Sequence, residues 1–476
     1  MGAGMKFFEP FRPGVDAPWD RARAAHLARR AGFGATPEEL DGLVELGLEG
    51  AVSHFVDVDR VDEAVEAAIE SEGSAITRGG TGSGGPVGAV RREWFYRMVH
   101  GSQPLQEKLL LFWHDHFATQ ESKVVRAPLM RAQLETMRRR ALGPFREMIG
   151  AIAKDPAMLV LLDNRLSDAA NPNENWAREL LELYTVGVDR YSQRDIVELA
   201  RIFTGWTTPA PHVGRFQFSP EMHDTTAKVV FGAKIEGMEG RAGLREGEEA
   251  LDLIVAREDC PRFLSEKLLG WFLCHEPPTQ AVTELAEVLE ENDLSIRAAL
   301  SRLFLSKRFY ESEYRFVLYK NPVELAAGTL HLLEVQNAHH AGLEDLTRSM
   351  GMQLFEPPSV AGWEHGEAWI DSGSVVQRFN FALEISELPH SSRSVRGRSA
   401  VNLDGLTGGS TTTSEELVEA LEARLLQRDL DGSRQGELVA YIDEVRAAAD
   451  TPERGARAAT RAAIHMLLTT PEFALA

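Results

Sequence analysis

The recurrence of apolar residues at helical spacing through most of the chain limits its fold more than any other feature. Pro104 to Phe117, Ile196 to Phe203, Glu248 to Val255 and Ala281 to Leu305 all carry it, placing an apolar stripe on one side of an α-helix. These segments predict a mainly α architecture, a multi-helix domain. One region breaks the pattern. From about Gly214 to Ile235, Arg215-Phe-Gln-Phe and Lys228-Val-Val-Phe-Gly flank a polar connection, which predicts a small β-hairpin insertion.

Two Gly-rich stretches punctuate the chain. Thr77 to Pro86 and Ser391 to Thr413 have the composition of flexible loops, with no apolar period to bury. The expected organisation is an N-terminal helical segment at 1–76, a Gly-rich loop at 77–90 and a central helical domain at 91–390, with its hairpin near 214–235. A flexible loop at 391–413 then leads to C-terminal helices at 414–476 that pack on the central domain. Thr36 and Pro37 occupy the cap and first position of one early helix, and Ser414-Glu-Glu-Leu opens a late one.

Composition narrows the partners. The chain has 476 residues, 43% of them hydrophobic, enough for one large core or two. Its formal net charge of −21 opposes binding to a nucleic-acid backbone, which depends on neutralising phosphates. The N-terminal residues lack the apolar run of roughly 7–15 residues of a secretory signal, and no segment approaches the ~20 apolar residues of a membrane span. The chain as written therefore reads as cytoplasmic. Cys260 and Cys274 are the only cysteines, too few for a disulfide framework; buried thiols or one bridge remain.

The stretch Pro172-Asn-Glu-Asn-Trp-Ala-Arg-Glu-Leu-Leu-Glu-Leu-Tyr-Thr-Val-Gly187 is the densest in chemistry. Projected at about 100° per residue, Glu174, Asn175, Arg178, Glu179 and Glu182 share one arc, and Trp176, Leu180, Leu181 and Tyr184 share the other. Two readings follow. The face is either a solvated stripe with Glu174 and Arg178 as an i,i+4 pair, or the wall of a cleft in which Arg178 holds one carboxylate ionised while crowding raises another.

Phe112-Trp-His-Asp-His-Phe117 offers two histidines two positions apart. On a helix such a pair diverges by about 200°, which argues against chelation and makes His116 the interior histidine, with His114 on the polar side. His116 is then a hydrogen-bonded core residue, a metal ligand or a general base. Glu221-Met-His-Asp-Thr-Thr-Ala-Lys228 lies in the hairpin connection, with His223 and Asp224 as candidate metal ligands and Lys228 as a substrate contact, or as a plain turn. Ser192 and Asp195 give the next helix a capping-box start, and Trp206, which follows its end at Gly205, either contacts substrate or helps to set the angle between two helices. Phe355-Glu-Pro-Pro-Ser-Val-Ala-Gly-Trp-Glu-His-Gly366 is a punctuated loop, whose Trp363 either lines a substrate groove or packs. The chain has no Gly-x-Ser-x-Gly elbow, phosphate-binding Gly-x-x-x-x-Gly-Lys-[Ser/Thr] loop, His-Glu-x-x-His or Cys-x-x-Cys, so several common hydrolase and nucleotide chemistries lose support.

Several of these blocks, in order, resemble the bacterial family called domain of unknown function 1800. They are His26-Leu-Ala-Arg-Arg-Ala-Gly-Phe-Gly-Ala-Thr, Phe112-Trp-His-Asp-His-Phe, Pro172-Asn-Glu-Asn-Trp-Ala-Arg-Glu-Leu, Ala200-Arg-Ile-Phe-Thr-Gly-Trp, His223-Asp and Pro357-Pro-Ser-Val-Ala-Gly-Trp. The resemblance spans nearly the whole chain. It implies no established activity. Family members often look exported and are often encoded beside a sulfatase-like family, which implies a role in an envelope or polysaccharide process. This chain has Trp176 where the family usually has Tyr, and Asp115 where it usually has Asn.

The leading expectation is a helical cleft gathering His116, the Glu174 helix and the His223-Asp224 loop for hydrolytic or metal-assisted chemistry. Glu174 or Glu179 is the acid/base or a ligand there, Arg178 orients an anion, and His116, His223 and Asp224 hold a divalent metal or carry protons. The alternative is a non-catalytic scaffold or partner protein whose polar helix face is buried in salt bridges. Metal, substrate, protein partner and oligomeric state are not specified by any motif.

Overall fold

Helix boundaries follow from local chemistry that the sequence carries openly. The computed structural model describes residues 6–58, 63, 66–71, 85–208, 214–335, 342–388, 406 and 413–476. Thr36 accepts the Glu39 N–H, and the Glu39 carboxylate accepts the Thr36 N–H, a capping box that starts the helix Pro37–Glu45 with Pro37 at its first position. Ser192 and Asp195 build the same device for Gln193–Ile202, and Thr413 with Glu416 for Ser414–Leu421. The fold is mainly α with two small antiparallel sheets.

The chain forms two compact units that interleave along the sequence. The first comprises Met1–Glu9, Gln106–Ser306 and Leu354–Trp363; the second comprises Pro10–Leu105, Lys307–Gln353 and Glu364–Ala476. Most of the Gly-rich segments expected at 77–90 and 391–413 lie outside the described residues, although the helix Gly85–His100 is already under way in the former. Within the second unit, the C-terminal helix Pro452–Leu468 packs on Ser372–Ser386 and on Gly432–Ala447.

The first unit takes the helix Pro104–His116 from Gln106 onward, where Leu109, Leu110, Leu111, Phe112 and Trp113 are all buried. Apolar residues on most of its circumference place this helix inside. Its charged residues are buried too, and each must find a partner. Glu107 does so through a bidentate pair with Arg138, Nε to Oε1 at 2.7 Å and Nη2 to Oε2 at 3.0 Å.

The β region differs in detail from the single expected hairpin. Strand β1 (Trp206–Thr207) pairs with β2 (Gln217–Phe218), and β3 (Lys228–Val230) pairs with β4 (Ala233–Ile235). The Arg-Phe-Gln-Phe segment therefore pairs backward with Trp206 rather than forward with Lys228. The reason lies in the turn: Phe231 and Gly232 both have positive φ, +50° and +80°, the two-residue geometry that closes a tight hairpin on its own.

Candidate functional site

The Pro172 stretch forms a helix that changes pitch. Glu174–Glu179 is α-helical, with the Asn173 side chain accepting the Asn175 N–H, and Leu180–Thr185 is wound as a π-helix. Such wide turns are rare and often occur at functional sites. Trp176, Ala177, Leu180, Leu181 and Tyr184 are buried, as the projection requires. The polar arc faces outward. Arg178 pairs with Glu174 at 3.2 Å, with side chains 39% and 41% exposed, and Gln193 donates to the same Glu174 oxygen at 2.9 Å. The expectation that this pair is buried among helices is corrected here, since among the described residues Gln193 is the one side chain of the neighbouring helix that reaches the two ions, and both keep much of their surface in water. Beside it, Tyr191 donates its hydroxyl to Glu182 at 2.5 Å. Half-burial, then the nearby Glu182 charge, raises the Glu179 carboxyl above its ordinary range.

His116 serves the end of this helix. Its Nε2 lies 3.1 Å from the Tyr184 carbonyl; a carbonyl only accepts, so the ring donates and satisfies a group orphaned by helix termination. Phe112, Trp113, Phe117, Tyr184 and Phe263 surround the ring. Burial, reinforced by the Lys267 charge, pushes its pKa well below the usual value, so the ring is neutral. No hydrogen bond or ion pair joins His116 to Glu174, Arg178 or Glu179 among the described residues.

His114 departs from its expected polar placement, being as buried as His116. The segment Leu354–Trp363 covers it: the Phe355 N–H donates to its Nε2 at 2.9 Å, and the Trp363 N–H donates to Asp115 at 2.8 Å. Gly362 makes this closure possible, because at φ +86° a Cβ there would stand 2.4 Å from the Asp115 carboxylate. The Trp363 ring is 6% exposed, which favours its packing role over a groove.

The hairpin connection joins a buried network rather than the Glu174 face. His223 is held by Nδ1 donating to the Thr204 carbonyl at 2.9 Å, while Nε2 lies 3.0 Å from Glu246. Lys228 donates to the other Glu246 oxygen at 2.5 Å and also to the Asp224 carbonyl. The Met238 N–H completes the carboxylate's shell. Burial opposes the Glu246 charge, but His223, Lys228 and Met238 outweigh it and hold the carboxyl below its ordinary value. The Asp224 side chain turns instead to Arg201, at 2.8 Å. Burial opposes its charge as well, yet the Arg201 and Thr226 hydrogen bonds lower its pKa to about 2. Trp206, fully buried, packs edge-on against Phe203 and Phe216.

Sequence reading missed Glu246, the centre of this network. Its signal was the pair of flanking glycines. A Cβ at Gly243 would lie 2.5 Å from the His223 ring, and one at Gly247 would lie 2.2 Å from the Trp206 ring; the helix Leu244–Val255 reaches both rings only through bare backbone. No group of three or more His, Cys, Asp or Glu side chains poised to hold a metal occurs among the described residues. Nor is any described helix long and apolar enough to cross a membrane.

The fold and this network define a mainly helical protein with a buried His-Glu-Lys cluster and an open polar helix face. Residues 26–475 match the family described as "Protein of unknown function (DUF1800)", and the chain belongs to that family. No curated protein and no solved structure matches it.

Proposed function

We propose that this protein works by binding rather than by making and breaking bonds, as a helical scaffold that presents the Glu174, Arg178, Glu179 and Glu182 face to a protein partner. One observation carries the reading: the groups best suited to metal or proton chemistry are turned onto internal partners. His116 is spent on Tyr184, His223 and Lys228 on Glu246, and Asp224 on Arg201. The polar helix face is what the frame leaves toward solvent. The envelope or polysaccharide setting implied by the family resemblance suits a partner protein of this kind.

The test is metal content together with stability. Purified protein and its His116→Ala and His223→Ala variants are measured by elemental mass spectrometry and thermal melting. Binding as the function predicts melting points that fall in both variants and no metal that disappears with them. A near-stoichiometric metal lost in either variant at unchanged melting point would replace this reading with metal-assisted hydrolysis.

A second reading has its own support in Glu179, whose raised carboxyl sits near Glu182 where the α-helix gives way to a π-helix. That pairing suits a general acid next to a second carboxylate. It predicts a hydrolytic turnover, measurable on chromogenic esters and glycosides, that Glu179→Gln abolishes without lowering the melting point.

A further inference from the structure

The second unit contains a cavity of about 720 Å³, within the roughly 300–1,000 Å³ range of small-molecule sites. Its lining shares no residue with the polar helix face of the first unit, and it stands independently of the function proposed for that face. Phe33, Leu43, Phe55 and Met98, all buried, form its apolar lining. Phe33 and Gly34 come from the His26-Leu-Ala-Arg-Arg-Ala-Gly-Phe-Gly block. That backbone is tightly held, since a Cβ on Gly328 would stand 2.7 Å from the Phe33 carbonyl and Gly34 has φ +105°. The wall is thus a shaped part of the fold.

The titratable groups lining the cavity are Glu39, Glu45, His54 and His331. Val99 and Glu39 fix the His331 ring: Nδ1 donates to the Val99 carbonyl and Nε2 to Glu39 Oε2, each at 2.9 Å. The Thr36 N–H also donates to Oε2. Oε1 takes part in none of these bonds, and the Glu39 side chain is 49% exposed. One carboxylate oxygen therefore remains on offer beside an apolar, aromatic pocket, and Glu45 adds a second negative charge. Aromatic faces attract cations, and a carboxylate in apolar surroundings does so more strongly than one in water. A fatty acid or phosphate would meet two carboxylates, with the His331 ring already taken up by Val99 and Glu39.

We propose that this cavity binds a compact apolar organic cation, an alkyl- or arylammonium, with its body against Phe33, Leu43, Phe55 and Met98 and its charge against Glu39. Hydrophobic burial supplies the affinity, and Glu39 supplies the preference for a cation over a neutral molecule of the same shape.

Isothermal titration of the full chain with phenylpropyl-trimethylammonium, its uncharged carbon isostere and phenylbutyrate tests this. The ammonium is expected to bind at least ten-fold tighter than the isostere, and the carboxylate most weakly. Glu39→Gln should close most of that gap while keeping the helix start, because Gln also completes a capping box. Gly42→Leu is the second variant: it lies on the cavity wall, with nothing within 4 Å of the Cβ position, and should weaken ammonium and isostere together. Equal binding of ammonium and isostere, preference for the carboxylate, an unchanged gap in Glu39→Gln, or no binding of any probe at millimolar concentration each overturns the proposal.

Discussion

His223 and His331 are held by the same device in different surroundings. In each, Nδ1 donates to a backbone carbonyl, Thr204 or Val99, and Nε2 faces a glutamate, Glu246 or Glu39. The first pair is sealed, with side chains 1% and 0% exposed; the second opens on a cavity, at 23% and 49%. Enclosure changes what the same contact is worth. An ion taken wholly out of water depends on its partner for several kcal/mol, whereas an exposed pair contributes about 0–1 kcal/mol. The sealed pair thereby becomes architecture, and the open one keeps a carboxylate oxygen for something else.

The comparison breaks most readily at Glu246. Glu246→Gln leaves the Lys228 ammonium buried without its counter-charge and should cost about 3–5 kcal/mol, read from the guanidinium chloride midpoint. A loss below about 1 kcal/mol would mean that water reaches the network and that the two histidines are alike after all.

Next in size are the glycines. Gly247→Ala drives a methyl group into the Trp206 ring and should destabilise by about 1–3 kcal/mol. Gly42→Ala, beside the open cavity, meets nothing and should instead stabilise its helix by up to about 1 kcal/mol through propensity. Opposite signs in one pair of melts would confirm which region is packed shut.

Acid and base sharpen the contrast further. The His331 pKa is raised: burial works against the charge, and Glu39 outweighs it. The contribution of His331 to stability is therefore complete below the unfolded histidine value of 6.5 and fades as pH rises through its folded value. The Glu39 carboxyl is lowered, with burial again opposed and outweighed by His331, so its contribution holds above 4.5 and fades as pH falls through its folded value. The pair should stabilise most between those limits, and Glu39→Gln should flatten that optimum. Chemical shift titration of the His331 ring checks this directly, since its pKa should fall in the variant, where burial is left with less to oppose it.

The local elements were legible because their causes are local. Thr36 with Pro37 and Ser192 with Asp195 announce helix starts within a few residues, and the helical period survives in the wound segments. The site was less legible because burial is a tertiary property. His114 lies on the polar side of its own helix, yet Leu354–Trp363 covers it from more than two hundred positions away in sequence. Glu246 is one of several acids in Arg245-Glu-Gly-Glu-Glu, and only the rings beneath Gly243 and Gly247 single it out. The exposure of Glu174 and Arg178 was equally hidden, because an i,i+4 spacing reads the same in water as in a cleft.

That spacing gives the smallest expected effect. An exposed i,i+4 pair contributes about 0.2–0.5 kcal/mol, and Gln193 shares the Glu174 oxygen, so part of the contact survives when Arg178 is removed. A double-mutant cycle of Glu174→Ala and Arg178→Ala should return a coupling within that range, shrinking further in 1 M salt as the charges are screened. A salt-insensitive coupling of several kcal/mol would place this face among the sealed networks with Glu246 and remove the ground for a partner there. A small, salt-sensitive coupling leaves these charges cheap to re-pair, which is what a partner-facing helix requires.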